Sequence, residues 1–384
     1  MSLSQDQISR YSRHLLLPEV GVEGQEKICN SKILCIGTGG LGSPVSLYLA
    51  AAGIGKLGLI DFDVVDKSNL QRQIAHGEST IGKLKVESAR DKIGDLNSDI
   101  DVAIHNERLS SKNAIEIFKD YDVIVDGTDN FPTRYLANDA CVLLKKPYVY
   151  GCILKFEGQV SVFDSTTGPC YRCLYPEPPP PGLVPSCAEG GVLGVLCGVI
   201  GTLQATEAIK IVLEKGDTLS GRLMLYDALG MKFREMRLRK DENCTICSDH
   251  PTITELIDYE QFCGILPPKA KTVEADIEIE PTAVKTMMDN KKSFKLVDVR
   301  EPSEYEICKI EGSILVPLSD VKTRDHSLLN GLSHEDEIIT HCHHGVRSLT
   351  AAEILKEMGF AKVRSMTGGI DEWSVQIDET VARY

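Results

Sequence analysis

The chain has 384 residues, enough for two or three domains at roughly 150 residues each. Its formal net charge of −14 argues against sequence-independent nucleic-acid binding, which needs Lys and Arg to displace counterions from phosphates, so no direct nucleic-acid contact is expected. Thirteen cysteines, an odd number, come after an opening without the charged and apolar regions of a secretory signal. The expected setting is reducing and cytoplasmic, where cysteines bind metal or do chemistry.

In chain order, the first predicted element is a polar helix over residues 5–17, stopped by Pro18. Residues 31–37 read as a buried strand, followed by glycines and a helical pattern over 43–52. Residues 56–61 and 122–127 read as further strands. Strands alternating with helices imply an α/β fold with a parallel, doubly wound sheet. The proline-rich stretch 175–185 suits neither helix nor sheet. The apolar stretch 190–203 is too short for about 30 Å of hydrocarbon, so a buried helix or turn is expected and no membrane anchor. After Cys247 the composition becomes loop-like, with Pro267-Pro268 and an acidic run over 274–280. This predicts a domain over 1–248, a linker over 249–275 and a smaller domain over 276–384. In the smaller domain, 294–299 and 337–342 read as strands, the second running through a glycine-containing loop into a helix over 348–358.

Gly37-Thr38-Gly39-Gly40-Leu41-Gly42 joins the first strand to the first helix. Glycines there let the backbone turn tightly and approach a phosphate, and the helix N-terminus adds N–H donors. Asp61 ends the next strand, where an acid can bind ribose hydroxyls. Two nucleotide readings are separated by the next residues: Asp61-Phe62-Asp63, then Ser68-Asn69-Leu70-Gln71-Arg72-Gln73, then Lys85. A dinucleotide gives cations no task beyond its ribose acid. A triphosphate attacked by a carboxylate does, because charge builds on the α-phosphate and the leaving pyrophosphate, and Arg72 and Lys85 can offset it. Asp129, followed by Asn130, ends a later strand at the same sheet edge, where a carboxylate can hold Mg²⁺ bridging phosphates. Two other classes stay open: a nicotinamide-dependent oxidoreductase with an accessory redox domain, and a non-catalytic docking protein.

Two CxxC pairs, Cys170/Cys173 and Cys244/Cys247, lie about seventy residues apart. Four thiolates so arranged satisfy a tetrahedral Zn²⁺ at about 2.3 Å each and leave no open position for catalysis. Cys187 lies between the pairs, after the proline-rich stretch and before a predicted helix, where positive potential favours a thiolate.

With these motifs in place, residues 8–247 resemble the E1-like activating enzymes, above all those that activate ubiquitin-like sulfur carriers. The resemblance implies that Gly40, Asp61, Asn69, Arg72, Lys85 and Asp129 contact ATP and Mg²⁺. It implies that Arg13 reaches the ATP of a partner subunit in a homodimer, and that the zinc is structural. The implied reaction is adenylation of a carrier protein's C-terminal Gly-Gly carboxylate, with Cys187 on a crossover loop that can take an acyl link.

In the smaller domain, His341-Cys342-His343-His344-Gly345-Val346-Arg347 ends a strand and enters a helix. Such a loop aims backbone N–H groups at one sulfur and stabilises an anion on it. Arg347 is expected to add charge or to brace the loop against Asp298 or Glu301. A histidine pair beside a cysteine also admits metal binding. With residues 298–305, 310–314 and 368–373, this loop resembles a single-domain rhodanese over residues 276–378. The fused order resembles adenylyltransferase–sulfurtransferases of molybdopterin and tRNA-thiolation pathways. That implies a Cys342 persulfide, charged by an upstream donor such as a cysteine desulfurase, which converts the adenylated carrier to a thiocarboxylate.

Overall fold

Lys32–Ile36 forms β1, four of its five residues fully or nearly fully buried, because it lies mid-sheet with both faces covered. The computed structural model describes residues 3–179, 190–264, 277–329 and 331–384, so Cys187 lies outside the described residues. The chain divides into two units, Met1–Pro268 and Lys269–Tyr384.

The first unit is built on an eight-stranded sheet ordered β3-β2-β1-β4-β5-β6-β7-β8. Its strands are β2 (Lys56–Ile60), β3 (Asp101–His105), β4 (Val123–Asp126), β5 (Tyr148–Leu154), β6 (Glu157–Phe163), β7 (Arg222–Asp227) and β8 (Lys232–Arg237). β1 to β5 are parallel, as expected; β6, β7 and β8 are antiparallel. Only Lys155 and Phe156 separate β5 from β6, too few for the crossover that a parallel partner requires. The strand order reverses between β1 and β4, so the loops leaving their C-terminal ends diverge and open a crevice.

Helices α1 (Gly42–Ala52), α2 (Lys85–Leu96), α3 (Phe131–Leu144) and α4 (Val195–Leu213) pack on this sheet. The helix expected over 5–17 is broken into Gln5–Arg10 and Ser12–Leu15, because Tyr11 turns inward and its hydroxyl accepts from Asn97 Nδ2 at 3.0 Å. The apolar stretch 190–203 is the front of α4, which continues to Leu213 and at 19 residues is long and apolar enough to cross a membrane by length and composition. Thr206, Glu207 and Lys210 hid that continuation by interrupting the apolar run. The helix lies on β5 and β6 and buries Leu196, Ile200, Ala205 and Ala208. The expected linker divides: residues 249–264 pack on the first unit, where Ser111 Oγ donates to the Ile257 carbonyl and Tyr259 OH to Asp139 Oδ2 at 2.8 Å.

The second unit has a parallel five-stranded sheet, β11-β10-β12-β13-β9. Its strands are β9 (Glu278–Ile279), β10 (Lys295–Asp298), β11 (Ile314–Leu315), β12 (Glu337–His341) and β13 (Lys362–Met366). Two clusters pack it, one around Val297, Ile338 and Leu355, the other around Ile339, Met366 and Trp373. Helices α5 (Val346–Glu357) and α6 (Gly369–Gln376) follow β12 and β13.

Candidate functional site

At the ends of β1, β2 and β4 lies a cavity of about 230 Å³, at the point where the strand order reverses. Gly37, Gly39, Gly40, Asp61, Asp63, Arg72, Lys85, Asp129 and Asn130 line it. Gly42 does not; a Cβ there would sit 1.9 Å from the Gly37 carbonyl oxygen, so this glycine is required to fold the loop onto its own strand. Ser68, Asn69, Leu70 and Gln71 also lie off the lining. Asp66 and Asn69 cap each other across the short turn Lys67–Asn69, and this turn carries Arg72, whose Nη1 donates to the Ser68 carbonyl at 3.1 Å. Arg13 is exposed on Ser12–Leu15 and does not line this cavity.

The acids of the site brace it as well as line it. Asp61 Oδ2 accepts from Thr38 N at 2.8 Å and Thr38 Oγ1 at 3.1 Å, while Oδ1 accepts from Asp63 N at 3.0 Å. Asp63 Oδ2 in turn lies 2.8 Å from Lys85 Nζ, and Lys85 is 7 % exposed. A buried ammonium needs a partner, and this one holds the Lys85 cation at the cavity wall.

Four contributors were missed in the sequence. Asp126 is fully buried at the end of β4 and accepts from Thr128 N (2.9 Å), Thr128 Oγ1 (2.6 Å) and Tyr148 OH (2.6 Å). Burial pushes its carboxyl up, against Arg134 and these hydrogen bonds. It fixes the turn that presents Asp129. Arg134 lines the cavity from the first turn of α3, with its guanidinium 5.5 Å from the Tyr150 ring centre. His76 ties the glycine loop to α2: the Thr38 carbonyl can only accept, so Nε2 donates to it at 3.0 Å, and Nδ1 meets Ser88 Oγ at 2.9 Å. Burial pushes the His76 pKa down, in keeping with a neutral ring. Gln73 is 5 % exposed on the lining, and its Oε1 has no hydrogen-bond partner among the described residues. An acid at the end of an apolar strand was a usable signal for Asp126, and Gln73 closes the Ser68–Gln73 run singled out in the sequence; Arg134 and His76 carry none.

Away from the cavity, the four CxxC sulfurs all lie within 4.8 Å of one another. Cys170–Cys244 Sγ atoms are 3.5 Å apart, Cys173–Cys247 3.4 Å and Cys170–Cys173 3.9 Å. A tetrahedron with arms of about 2.3 Å has edges of about 3.8 Å, so the donor set fits Zn²⁺, whereas a disulfide would need about 2.05 Å.

In the second unit Cys342 directly follows β12, 1 % exposed, and its Sγ accepts from Gly345 N at 3.1 Å. Gly345 has φ +95°, the left-handed turn that aims this N–H at the sulfur. The first turn of α6 holds the loop's carbonyls away from it: Ile370 N donates to Cys342 O at 2.8 Å and Asp371 N to His343 O at 3.1 Å. Arg347 does brace the loop, but against Glu304, with two bonds of 2.7 Å. Asp298, one of the expected partners, is taken by Arg300. Glu301 is the N-cap of the short helix Pro302–Ile307, and Glu304, one turn on, faces the loop. Burial opposes charge on Glu304, yet the Arg347 fork and the Glu301 N–H hold its pKa at about 2. His343 and His344 stack on each other with ring centres 3.9 Å apart, and among the described residues no metal-type cluster includes them.

Comparison with known proteins matches the ThiF family over residues 11–246 and the rhodanese-like domain over residues 280–376. A Mycobacterium tuberculosis protein named "Probable adenylyltransferase/sulfurtransferase MoeZ" is 47 % identical over 387 residues, covering 100 % of this chain and 97 % of its own length. "Adenylyltransferase and sulfurtransferase MOCS3" of Culex quinquefasciatus is 45 % identical over 399 residues, covering 100 % and 90 %. Among solved structures, E. coli MccB with MccA-N7isoASN has a TM-score of 0.58 at 23 % identity over 64 % of this chain and 76 % of that one, a likeness of fold.

Proposed function

The chain belongs to the ThiF family and ends in a rhodanese-like domain, and from this we infer an adenylyltransferase and sulfurtransferase that activates a ubiquitin-like sulfur carrier. The observation that carries the reading is the cavity itself, where a glycine loop, the cations Arg72 and Lys85 and the acid Asp129 after β4 converge on one crevice.

The glycine loop and the first turn of α1 receive the triphosphate of ATP, and Asp61 the ribose. The carrier's Gly-Gly carboxylate attacks the α-phosphorus, forming the acyl–phosphate bond as the bond to pyrophosphate breaks. Arg72 and Lys85 offset the charge gained by the transferring group and the leaving pyrophosphate, with Arg13 supplied by a second copy of the chain. Asp129 would supply the carboxylate that holds Mg²⁺, which when bound would offset charge on the phosphates. The four CxxC thiolates suit a structural zinc with no open position.

In the second unit, the Cys342 loop stabilises a terminal sulfur anion delivered by a persulfide donor such as a cysteine desulfurase. That sulfur attacks the acyl-adenylate and AMP leaves, giving an acyl-persulfide. Attack by the Cys187 thiol on Cys342 sulfur then releases the thiocarboxylate and leaves a disulfide for an external thiol to reduce. Molybdopterin synthesis and tRNA thiolation are the proposed pathways, in a cytoplasmic homodimer. A nicotinamide reading gives Arg72 and Lys85 no task. Carrier-dependent exchange of labelled pyrophosphate into ATP tests the adenylation step; its absence with every Gly-Gly carrier tried would overturn the reading.

A further inference from the structure

The last two residues of the chain meet the Cys342 loop from both sides. The Tyr384 ring lies flat on His343, with centres 4.3 Å apart and planes 10° apart. Its hydroxyl accepts from Arg300 Nη1 at 2.7 Å and donates to Glu304 Oε1 at 2.9 Å, the same carboxylate that holds Arg347. Arg383 forks onto Asp371 at 2.7 and 3.1 Å, and the Asp371 N–H fixes the His343 carbonyl. These contacts reach the Cys342–Arg347 loop from residues outside it, Arg300, Glu304, Asp371, Arg383 and Tyr384.

We propose that Tyr384 is a positioning residue for sulfur transfer at Cys342, holding His343 in plane over the loop with its ring and setting the Glu304–Arg347 pair with its hydroxyl. The inference rests on the reading of Cys342 as the sulfur-bearing residue. His343 is 7 % exposed. The charged or titratable groups facing it are His344 on its own loop, Asp371 on α6, Glu304 on its short helix, Arg300 after β10, and Tyr384 itself. Burial, then His344, pushes the His343 pKa down to about 4, so the ring enters the stack uncharged. Tyr384 supplies part of that burial.

The reaction that reads this site is transfer from thiosulfate. The Cys342 thiolate attacks the outer sulfur, the S–S bond of thiosulfate breaks, and sulfite leaves with the electron pair, giving a Cys342 persulfide. Arg347 braces the loop that carries this sulfur, and its placement depends on Glu304. Losing a hydrogen bond to a charged group is worth about ten-fold or more in such a step.

The test uses the full chain and the variants Tyr384→Phe and Tyr384→Ala. Tyr384→Phe keeps the stack and lacks the hydroxyl: it should lose about ten-fold in kcat/KM for thiosulfate while the His343 titration, followed by NMR of the labelled ring, stays in place. Tyr384→Ala should lose at least as much and should also move the His343 titration upward toward the ordinary histidine range. Carrier-dependent pyrophosphate exchange should be unchanged in both, reporting an intact first unit. A stability role alone would lower the unfolding midpoint without separating the two variants. Transfer by Tyr384→Ala within two-fold of the natural chain, or an unmoved His343 titration in it, overturns the proposal. Absence of transfer by the natural chain would overturn the Cys342 reading and this inference with it.

Discussion

Arg172, between the two cysteines of the first CxxC, is forked onto Asp139 of α3 with N–O distances of 2.8, 3.1 and 2.8 Å, and both side chains are buried. The same helix begins with Asn130 as N-cap, and its first turn carries Thr133 and Arg134 to the cavity wall. The cysteine cluster is thus tied, through one ion pair, to the helix that shapes the cavity.

Asp139→Asn should therefore destabilise the first unit by about 3–5 kcal/mol, since it leaves the Arg172 charge buried without its counter-ion. Urea unfolding followed by circular dichroism measures this. Metal analysis should still give one zinc per chain in that variant. It should give none when Cys244 and Cys247 are both replaced by Ser; zinc retained there would refute the ligand assignment.

Lys85→Ala and Asp129→Ala should each lower carrier-dependent pyrophosphate exchange by about 100-fold or more, because the first removes a cation aimed at developing negative charge and the second the carboxylate that would hold Mg²⁺. Lys85→Ala should also leave the exposed Asp63 carboxylate without its cation, without unfolding the chain. Exchange retained in Asp129→Ala would remove the metal assignment.

Cys342→Ala should leave pyrophosphate exchange intact and abolish sulfur transfer from thiosulfate, since adenylation and sulfur loading use different units. Glu304→Gln should retain Cys342 and still lose about ten-fold in transfer, by loosening the Arg347 fork. Sulfur transfer surviving in Cys342→Ala would place the reactive sulfur elsewhere.

The second unit should lose stability as pH falls. Burial pushes His341 from its ordinary 6.5 down to about 4, so the unfolded chain takes up this proton before the native state does. Stability present above pH 6.5 is then lost progressively down to pH 4, about 3 kcal/mol from this group alone. Glu304, held at about 2, extends the loss from its ordinary 4.5 downward. Trp373, the sole tryptophan, is buried in α6 and reports this unit by fluorescence. The urea midpoint should fall steadily between pH 7 and 4; a flat midpoint would mean that His341 protonates equally well folded and unfolded.

Much of both sites was legible because it is local. A glycine loop after an apolar strand, an acid at the end of the next strand, two close cysteine pairs and a cysteine loop entering a helix are all set by neighbours a few residues apart. Short-range sterics and helix-end hydrogen bonding decide their shapes whatever surrounds them. The doubly wound half of the sheet was readable for the same reason, and the antiparallel half was not, because strand direction there depends on connection lengths and pairing.

The partners were a matter of tertiary packing. Arg347 had Asp298 and Glu301 as plausible braces, and helical phase gave it Glu304 instead, 43 residues away. His76 reaches Thr38 across 38 positions, and Tyr384 reaches Glu304 across 80. No periodicity encodes such meetings: a buried polar group takes whichever partner the closed packing brings within about 3 Å, because leaving it unpaired costs more than the bond itself returns. The chemistries this chain carries are written in short local motifs; the side chains that hold those motifs in place are chosen only when the chain has closed on itself.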